Sequence, residues 1–294
     1  MSDSKFATLL RGLSLWAMIF DVDHCLLPYN LGWHVVGHFR AAIRILRSRG
    51  IFNVLENGKT GLDCELTENG QLLKRLLWER MGPDPVHAAV VVDFLREQFK
   101  VETTVYEVIG QKLIEFQHVF SPFPPPLDDH EWMMRGETEG FGRLNVDGEE
   151  SKPLLAMCGE KKIHLATVSS TALPILRFLL GSAGLLQHFP QSEAIMGSDA
   201  FVHDHQFKPS PVPWQRAITV LECLHGKRPA DSAVAFVEDS ERNLIEPVNE
   251  IPNSMGIFVA RPHSCGHTSP SSKHPRIITV PDLHALRRLL RGIN

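Results

Sequence analysis

A short apolar run, residues 15–20, ends at two acids, Asp21 and Asp23. The run has the length of a buried strand and is too short for a helix. Ligands of open α/β sheets bind at the carboxyl ends of strands, and residues two apart in a strand share a face. Two carboxylates so close repel each other unless a cation lies between them or one holds a proton. Because oxygen ligands suit a hard cation, the pair is a candidate Mg²⁺ site, although Asp-x-Asp pairs also occur in ordinary loops.

Three later stretches place further polar groups in a similar context. A second apolar run, residues 163–168, carries the hydroxyl of Thr167 near its end. Lys208 stands just before a predicted amphipathic helix, and a third apolar run, residues 233–239, ends in two acids. Because parallel strands bring their carboxyl ends to one edge of a sheet, these groups are predicted to lie near the first acid pair.

The order of elements predicts the fold class. Beyond residue 160 strands and helices alternate, which is typical of an α/β fold with a doubly wound, Rossmann-like parallel sheet. More than a hundred residues separate Asp23 from Thr167, although a parallel crossover needs only about a dozen. Most of that stretch has helical periodicity. We therefore predict a sheet domain of residues 1–31 and 151–294, interrupted by a mainly helical cap domain of residues 32–150.

Local signals give three further predictions for the sheet domain. Residues 194–196 are predicted to form a short strand. Asp282 is predicted to cap the N-terminus of the last helix, since a carboxylate there accepts from unpaired backbone N–H groups. Pro247 is predicted to end or kink the helix after the third strand, because proline lacks a backbone N–H.

Composition narrows the function classes. The net charge is −4 and no long basic run occurs, which argues against a nucleic-acid polymer as partner. The 5 cysteines are scattered and form no C-x-x-C pair, as expected for the reduced thiols of an intracellular protein. No run approaches the roughly 18 apolar residues of a membrane span, and no secretory signal is recognisable. The expectation is a cytoplasmic protein, a monomer or homodimer, with no membrane partner.

The order of acid pair, hydroxyl, lysine and acid pair resembles the four-motif pattern of the haloacid dehalogenase-like (HAD) superfamily of aspartate-nucleophile phosphatases. Within it, residues 20–29 (FDVDHCLLPY), 208–210 (KPS) and 236–243 (FVEDSERN) are similar to motifs of the pyrimidine 5′-nucleotidase-like branch. His24 departs from that pattern, because glycine, asparagine or aspartate is usual there. Its side chain either titrates beside the acids or points away from them.

The resemblance implies catalytic and metal-binding roles. Asp21 would be the nucleophile, Asp23 the general acid/base, and Lys208 the cation that stabilises the nucleophile and the phosphoryl group. The implied cofactor is Mg²⁺, held by Asp21, Asp23 (through its backbone carbonyl), Asp239 and Glu238.

The resemblance also implies a phosphate-binding set. The Thr167 hydroxyl and the backbone N–H of Val168 would hold a phosphoryl oxygen, together with Lys208. Ser169 and Ser170 follow directly, so one of these hydroxyls could take the place of Thr167.

The function implied is a Mg²⁺-dependent phosphatase that hydrolyses a small phosphomonoester, with a nucleoside monophosphate as the expected substrate, through an aspartyl-phosphate. A dehalogenase of this fold lacks the second acid, so Asp23 favours phosphoryl chemistry. Two alternatives use the same residues: a phosphomutase acting on a sugar phosphate, and a phosphate-binding protein without catalytic activity.

Overall fold

The computed structural model describes residues 2–10, 12–27, 32–51, 68–80, 82–119, 149–201, 206–260 and 273–292. The strands in these ranges are β1 (Ser14–Phe20), β2 (His164–Val168), β3 (Ile195–Met196), β4 (Ser232–Glu238), β5 (Ser254–Val259) and β6 (Ile277–Val280). The α-helices are α1 (Ser2–Leu9), α2 (Gly32–Ser48), α3 (Glu68–Glu79), α4 (Asp84–Phe99), α5 (Val105–Val119), α6 (Ser151–Glu160), α7 (Leu173–Ser182), α8 (Val212–His225), α9 (Arg242–Glu250) and α10 (Leu283–Arg291).

The chain forms two compact units. The sheet unit consists of residues 1–28 and 145–294, and the inserted unit of residues 29–144. All the strands of the described residues belong to the sheet unit, and the helices α2 to α5 belong to the inserted unit. The sequence predicts an inserted domain of residues 32–150, and the inserted unit spans residues 29–144. Residue 31, where the first predicted division falls, lies outside the described residues.

The strands described above form one parallel sheet in the order β3-β2-β1-β4-β5-β6. The chain runs outward from β1 in one direction, then returns to place β4 on the other side of β1. The strand order therefore reverses between β1 and β4, which is the switch point where open α/β sheets bind ligands. Phe20 pairs with Thr167 on one side and with Val237 on the other, so the ends of these strands are level.

Helices cover both faces of the sheet, as the predicted doubly wound fold requires. Ile19 of β1 belongs to a core cluster that includes Trp214 of α8 and Leu244 of α9. The preceding residue, Met18, points to the opposite face of the sheet, where its sulfur lies 3.7 Å from the thiol of Cys158 in α6. Successive strand residues point to opposite faces, so burial on both sides explains why β1 reads as a continuous apolar run.

The inserted unit depends on close helix packing. α2 is buried on nearly all sides, since residues 34–39 and 41–43 are all buried, and Gly37 lies where α5 approaches it. A Cβ atom at Gly37 would lie 2.8 Å from the Phe116 ring and 3.1 Å from Cγ of Lys112. The missing side chain therefore gives the Lys112 stem room to lie across α2.

The local predictions have mixed outcomes. The Asp282 carboxylate accepts from the Ala285 N–H at 2.6 Å and caps α10, as predicted. The predicted short strand exists as β3. The prediction that Pro247 ends its helix is wrong, because α9 continues to Glu250 with Pro247 buried inside it, while the alternative of a kink stays a prediction. A proline removes only its own N–H donor, and the burial of the ring and its neighbour Val248 favours continuation.

In the part of the chain that the structure describes, no helix combines the length and the apolar character needed to cross a membrane.

Candidate active site

Lys208 joins the acids at the ends of β1 and β4. Its Nζ donates a hydrogen bond to the carboxylate of Asp21 and another, of 2.8 Å, to Oε2 of Glu238. The Asn243 side chain donates to the other Glu238 oxygen at 3.0 Å. The Lys208 Nζ also lies 5.7 Å from the centre of the Trp214 ring. These contacts hold one buried cation between the two central strands of the sheet.

The site carries more negative than positive charge. Carboxylate oxygens of Asp21, Glu238 and Asp239 lie within 4.8 Å of one another. Burial, and then the Glu238 carboxylate, raise the pKa of Asp21 well above its ordinary value, and the same two causes raise the pKa of Asp239. Burial alone would lower the pKa of Lys208, but Asp21 and Glu238 raise it, so Lys208 keeps its charge. One ammonium thus faces three carboxylates.

This donor set fits a hard divalent cation. All three groups offer carboxylate oxygens, which are the ligands that Mg²⁺ prefers, and a cation between them would relieve their repulsion. Asp21, Glu238 and Asp239 are therefore the residues that would hold Mg²⁺. Asp23 is the fourth residue predicted to bind the metal, and its carboxylate is not part of this group.

The carboxylate of Asp23 is bound by two hydroxyls. Its Oδ2 accepts from Ser169 Oγ at 2.9 Å and from Thr171 Oγ1 at 2.6 Å. The backbone N–H of Thr171 in turn donates to Ser169 Oγ at 3.0 Å. These bonds fix Asp23 on the β2 side of β1, while Asp21 faces Lys208. The two acids of the first motif therefore have different surroundings, as different chemical roles require.

A tight turn follows β1. The N–H of His24 donates to the carbonyl of Leu27 at 2.8 Å, and the N–H of Leu27 donates to the carbonyl of Val22 at 2.9 Å. His24 has a φ of 61°, in the left-handed region that glycine, asparagine and aspartate tolerate best and histidine more often than most residues. Glycine, asparagine and aspartate, the residue types that the motif resemblance leads us to expect here, would suit this backbone conformation.

The structure places Thr167 differently from the prediction. Its buried hydroxyl accepts from the backbone N–H of Met196 in β3 at 3.3 Å. β2 continues through Val168, and the first hydroxyl beyond it is that of Ser169, which reaches Asp23. The structure thus shows Thr167 bonded to β3 and Ser169 bonded to Asp23, and the hydroxyl that binds a phosphoryl oxygen stays a prediction.

Removing divalent ions should make the stability of the protein depend on pH in a definite direction. The folded-state pKa values of Asp21 and Asp239 lie above the ordinary value of 3.8. Their contribution to stability is therefore full below about pH 4 and is lost as the pH rises through the folded pKa values. Bound Mg²⁺ should offset this loss of stability.

We expect Mg²⁺ to raise the melting temperature by several degrees at pH 8, given a free concentration of about 100 Kd, and by less at pH 5. Thermal unfolding in Mg²⁺ and in EDTA tests this, and an equal shift at both pH values would contradict it.

A glycine behind the Asp23 contacts should be intolerant of substitution. A Cβ atom at Gly197 would lie 2.5 Å from the backbone nitrogen of Leu173 and 2.7 Å from the carbonyl oxygen of Thr171. We expect Gly197→Ala to lower the free energy of unfolding by about 1–3 kcal/mol, because backbone must move. Gly181→Ala in α7 is the matched control, since a Cβ there meets nothing within 4 Å. Denaturant unfolding of both variants tests this, and equal stabilities would contradict it.

No model of a known protein family matches the sequence, and no curated protein matches it. Solved structures do match. A HAD phosphatase from Thermococcus onnurineus has a TM-score of 0.52 at 16% identity, over 95% of this chain and 99% of that chain. A Thermotoga maritima protein assigned as a β-phosphoglucomutase has a TM-score of 0.50 at 18% identity, over 95% and 100%. L-2-haloacid dehalogenase from Xanthobacter autotrophicus reaches 0.48 at 15% identity, over 95% and 100%.

At these identities the similarity shows the fold. The chain has the HAD-like α/β fold, as its motifs predicted. The pyrimidine 5′-nucleotidase-like branch stays a prediction.

Proposed function

We propose that this protein is a Mg²⁺-dependent phosphatase that hydrolyses a small phosphomonoester through an aspartyl-phosphate on Asp21. The observation that carries the proposal is the contact of Lys208 with both Asp21 and Glu238, at the switch point of the sheet and beside Asp239. The Lys208 charge lowers the pKa of Asp21 against burial and the neighbouring carboxylates, so it favours the ionised nucleophile, and the hydrogen bond orients it.

The chemistry divides into two displacements at phosphorus. In the first, a carboxylate oxygen of Asp21 forms a bond to phosphorus while the ester oxygen leaves, and Asp23 donates the proton that the leaving oxygen takes up. In the second, Asp23 accepts a proton from water, the water oxygen bonds to phosphorus, and the Asp21 carboxylate leaves. Inorganic phosphate is released and both acids return to their starting protonation states.

The other residues bind and orient. Lys208 stabilises negative charge on the phosphoryl oxygens, in a site where burial strengthens electrostatic interactions. Asp21, Glu238 and Asp239 would hold Mg²⁺, which supplies positive charge between the carboxylate and the phosphate when bound. The Ser169 hydroxyl, which donates to Asp23 in the structure, would turn from Asp23 to a phosphoryl oxygen of the bound substrate, in the role that the motif resemblance gave to Thr167.

The substrate we propose is a nucleoside monophosphate. Its support is the resemblance of residues 20–29, 208–210 and 236–243 to the nucleotidase motifs, while the phosphatase chemistry rests on Asp21, Asp23 and Lys208 independently of it. The position of Asp23 also separates the proposal from dehalogenation, since cleavage of a carbon–halogen bond needs no proton donor for the leaving halide.

The test measures product release over a panel of substrates with Mg²⁺ and with EDTA. The panel contains nucleoside monophosphates, sugar phosphates, an aryl phosphate and an L-2-haloacid. Mg²⁺-dependent phosphate release is the expected result, with nucleoside monophosphates preferred. Isomerised sugar phosphate without phosphate release would replace the proposal with a phosphomutase, and halide release would replace it with a dehalogenase. A folded protein with no turnover on any compound would favour the non-catalytic phosphate-binding alternative.

A further inference from the structure

The inserted unit contains a buried polar cluster that the proposed phosphatase chemistry does not use. His34 and His38 come from α2, Asp84 and His87 from the start of α4, and Lys112 from α5. The exposed fraction of His38 is 0%, of Asp84 2% and of His87 3%. Charged and imidazole side chains are rarely buried this completely unless they pair or bind a metal.

The tautomer of His38 follows from its surroundings. Its Nδ1 lies 2.7 Å from the backbone carbonyl oxygen of His34, and a carbonyl can only accept, so Nδ1 carries the proton. Nε2 then has a free lone pair and lies 3.8 Å from Oδ1 of Asp84. That distance is too long for a hydrogen bond, and it brings two electron-rich atoms together. Metal-binding histidines commonly donate their second nitrogen to a backbone carbonyl in this way.

His87 adds a second imidazole with open nitrogens. Both of its ring nitrogens are buried without a hydrogen-bond partner in the structure. Its ring packs edge-to-face against His38, with 5.1 Å between ring centres. Burial, and then the Lys112 charge, lower the pKa of His87 to about 4, so the ring is neutral at physiological pH, as a metal ligand must be.

Lys112 and His34 approach the same oxygen of Asp84, Oδ1, that faces His38. The Lys112 Nζ donates to Oδ1 of Asp84 and lies 2.8 Å from Nδ1 of His34. The charge of Asp84 is therefore balanced by Lys112, but the lone pair of His38 and both nitrogens of His87 are not used by this ion pair. A cation entering from the histidine side would share Asp84 with Lys112, whose positive charge weakens its binding.

We propose that His38, Asp84 and His87 form a binding site for a divalent first-row transition-metal ion of the Zn²⁺ class, distinct from the Mg²⁺ site of the sheet unit. One nitrogen or oxygen of each side chain lies within 4.8 Å of the others. Two imidazoles with one carboxylate are a ligand set that selects such ions over Mg²⁺, which prefers oxygen. Because the ligands come from α2 and α4 and are buried, the ion ties these two helices together.

Calorimetric titration with Zn²⁺ tests the site directly. The full-length protein is first treated with a chelator and then titrated in millimolar Mg²⁺, which occupies the acidic site of the sheet unit. One tight equivalent of Zn²⁺ is expected. His38→Gln and His87→Gln should each weaken that equivalent by at least about tenfold, the lower end of the effect of removing one support of a metal site. His164→Gln, in the sheet unit, is the matched control and should leave it unchanged.

Lys112→Met tests the site in the opposite direction. Removal of the competing ammonium should tighten Zn²⁺ binding by about tenfold or more, and added Zn²⁺ should raise the melting temperature of this variant. In the wild type, Zn²⁺ at about 100 Kd should raise the melting temperature by roughly 5–10 °C.

Two results would overturn the proposal. One is a wild-type protein that binds no tight Zn²⁺ in Mg²⁺ buffer. The other is Zn²⁺ binding of the same stoichiometry and affinity in the wild type and in both histidine variants. If those variants do not fold, X-ray absorption at the zinc edge of the wild type decides: imidazole nitrogen ligands support the site, and an all-oxygen shell contradicts it.

Discussion

Asp21→Asn is expected to lower phosphate release by roughly a thousandfold or more, because removal of a nucleophile removes the covalent route itself. The amide keeps the size and most of the hydrogen-bonding capacity of the carboxylate, so Lys208 and Glu238 retain their contact. The measurement is the turnover rate of the best substrate of the panel in saturating Mg²⁺. A variant that keeps a tenth of the wild-type rate would exclude Asp21 as nucleophile.

The same substitution should not destabilise the protein. The pKa of Asp21 is raised because the carboxylate is buried beside Glu238 and Asp239, so a neutral side chain relieves repulsion at neutral pH. We expect an equal or higher melting temperature in EDTA, as is common where a functional residue is held at a cost in stability. Asp282→Asn is the matched control. Asparagine caps a helix about as well as aspartate, so neither activity nor stability should change.

The sheet unit could be predicted from the sequence because its signals are local. An apolar run that stops at an acid shows both the strand and its functional end, and Asp21 and Glu238 each follow this pattern. The choice of hydroxyl is harder to predict, because Thr167 and Ser169 are two residues apart and the period of a strand puts both on one face. The predicted run ends at residue 168, as β2 does, so Thr167 lies inside the strand and Ser169 just beyond it. Periodicity does not show that Thr167 bonds to β3 while Ser169 bonds to Asp23.

The buried cluster of the inserted unit could not be predicted from local signals. His34 and His38 are four apart and Asp84 and His87 three apart, so each pair lies on one face of a helix. That spacing is visible in the sequence. The pairing of α2 with α4 is not, because it depends on how helices from distant parts of the chain pack, and helical periodicity gives only the buried face of each helix. The role of Gly37 in admitting the Lys112 stem is equally a consequence of packing.

Lys208→Met should both abolish activity and strongly destabilise the protein at alkaline pH. Lys208 lowers the pKa of Asp21 and of Asp239, and it is the cation bound to Glu238. Its removal leaves three neighbouring carboxylates without a counter-charge. Breaking a buried ion pair by removing one partner costs about 3–5 kcal/mol, and we expect a loss of that size in the free energy of unfolding at pH 8 in EDTA. The rate of phosphate release should fall by roughly a thousandfold, a loss of about 4 kcal/mol in transition-state stabilisation.

The pH dependence identifies the cause of that instability. Without Lys208 the folded-state pKa values of Asp21 and Asp239 rise further, so the variant regains stability as the pH falls and these groups take up protons. The difference in the free energy of unfolding from the wild type should therefore be smaller at pH 5 than at pH 8, and Mg²⁺ should reduce it at pH 8 without restoring turnover.

Lys227→Met, at an exposed position, is the matched control and should change neither stability nor turnover. Denaturant unfolding at both pH values, with Mg²⁺ and with EDTA, makes the measurement. A destabilisation that is independent of pH and of Mg²⁺ would show that Lys208 acts through packing against Trp214 and not through its charge.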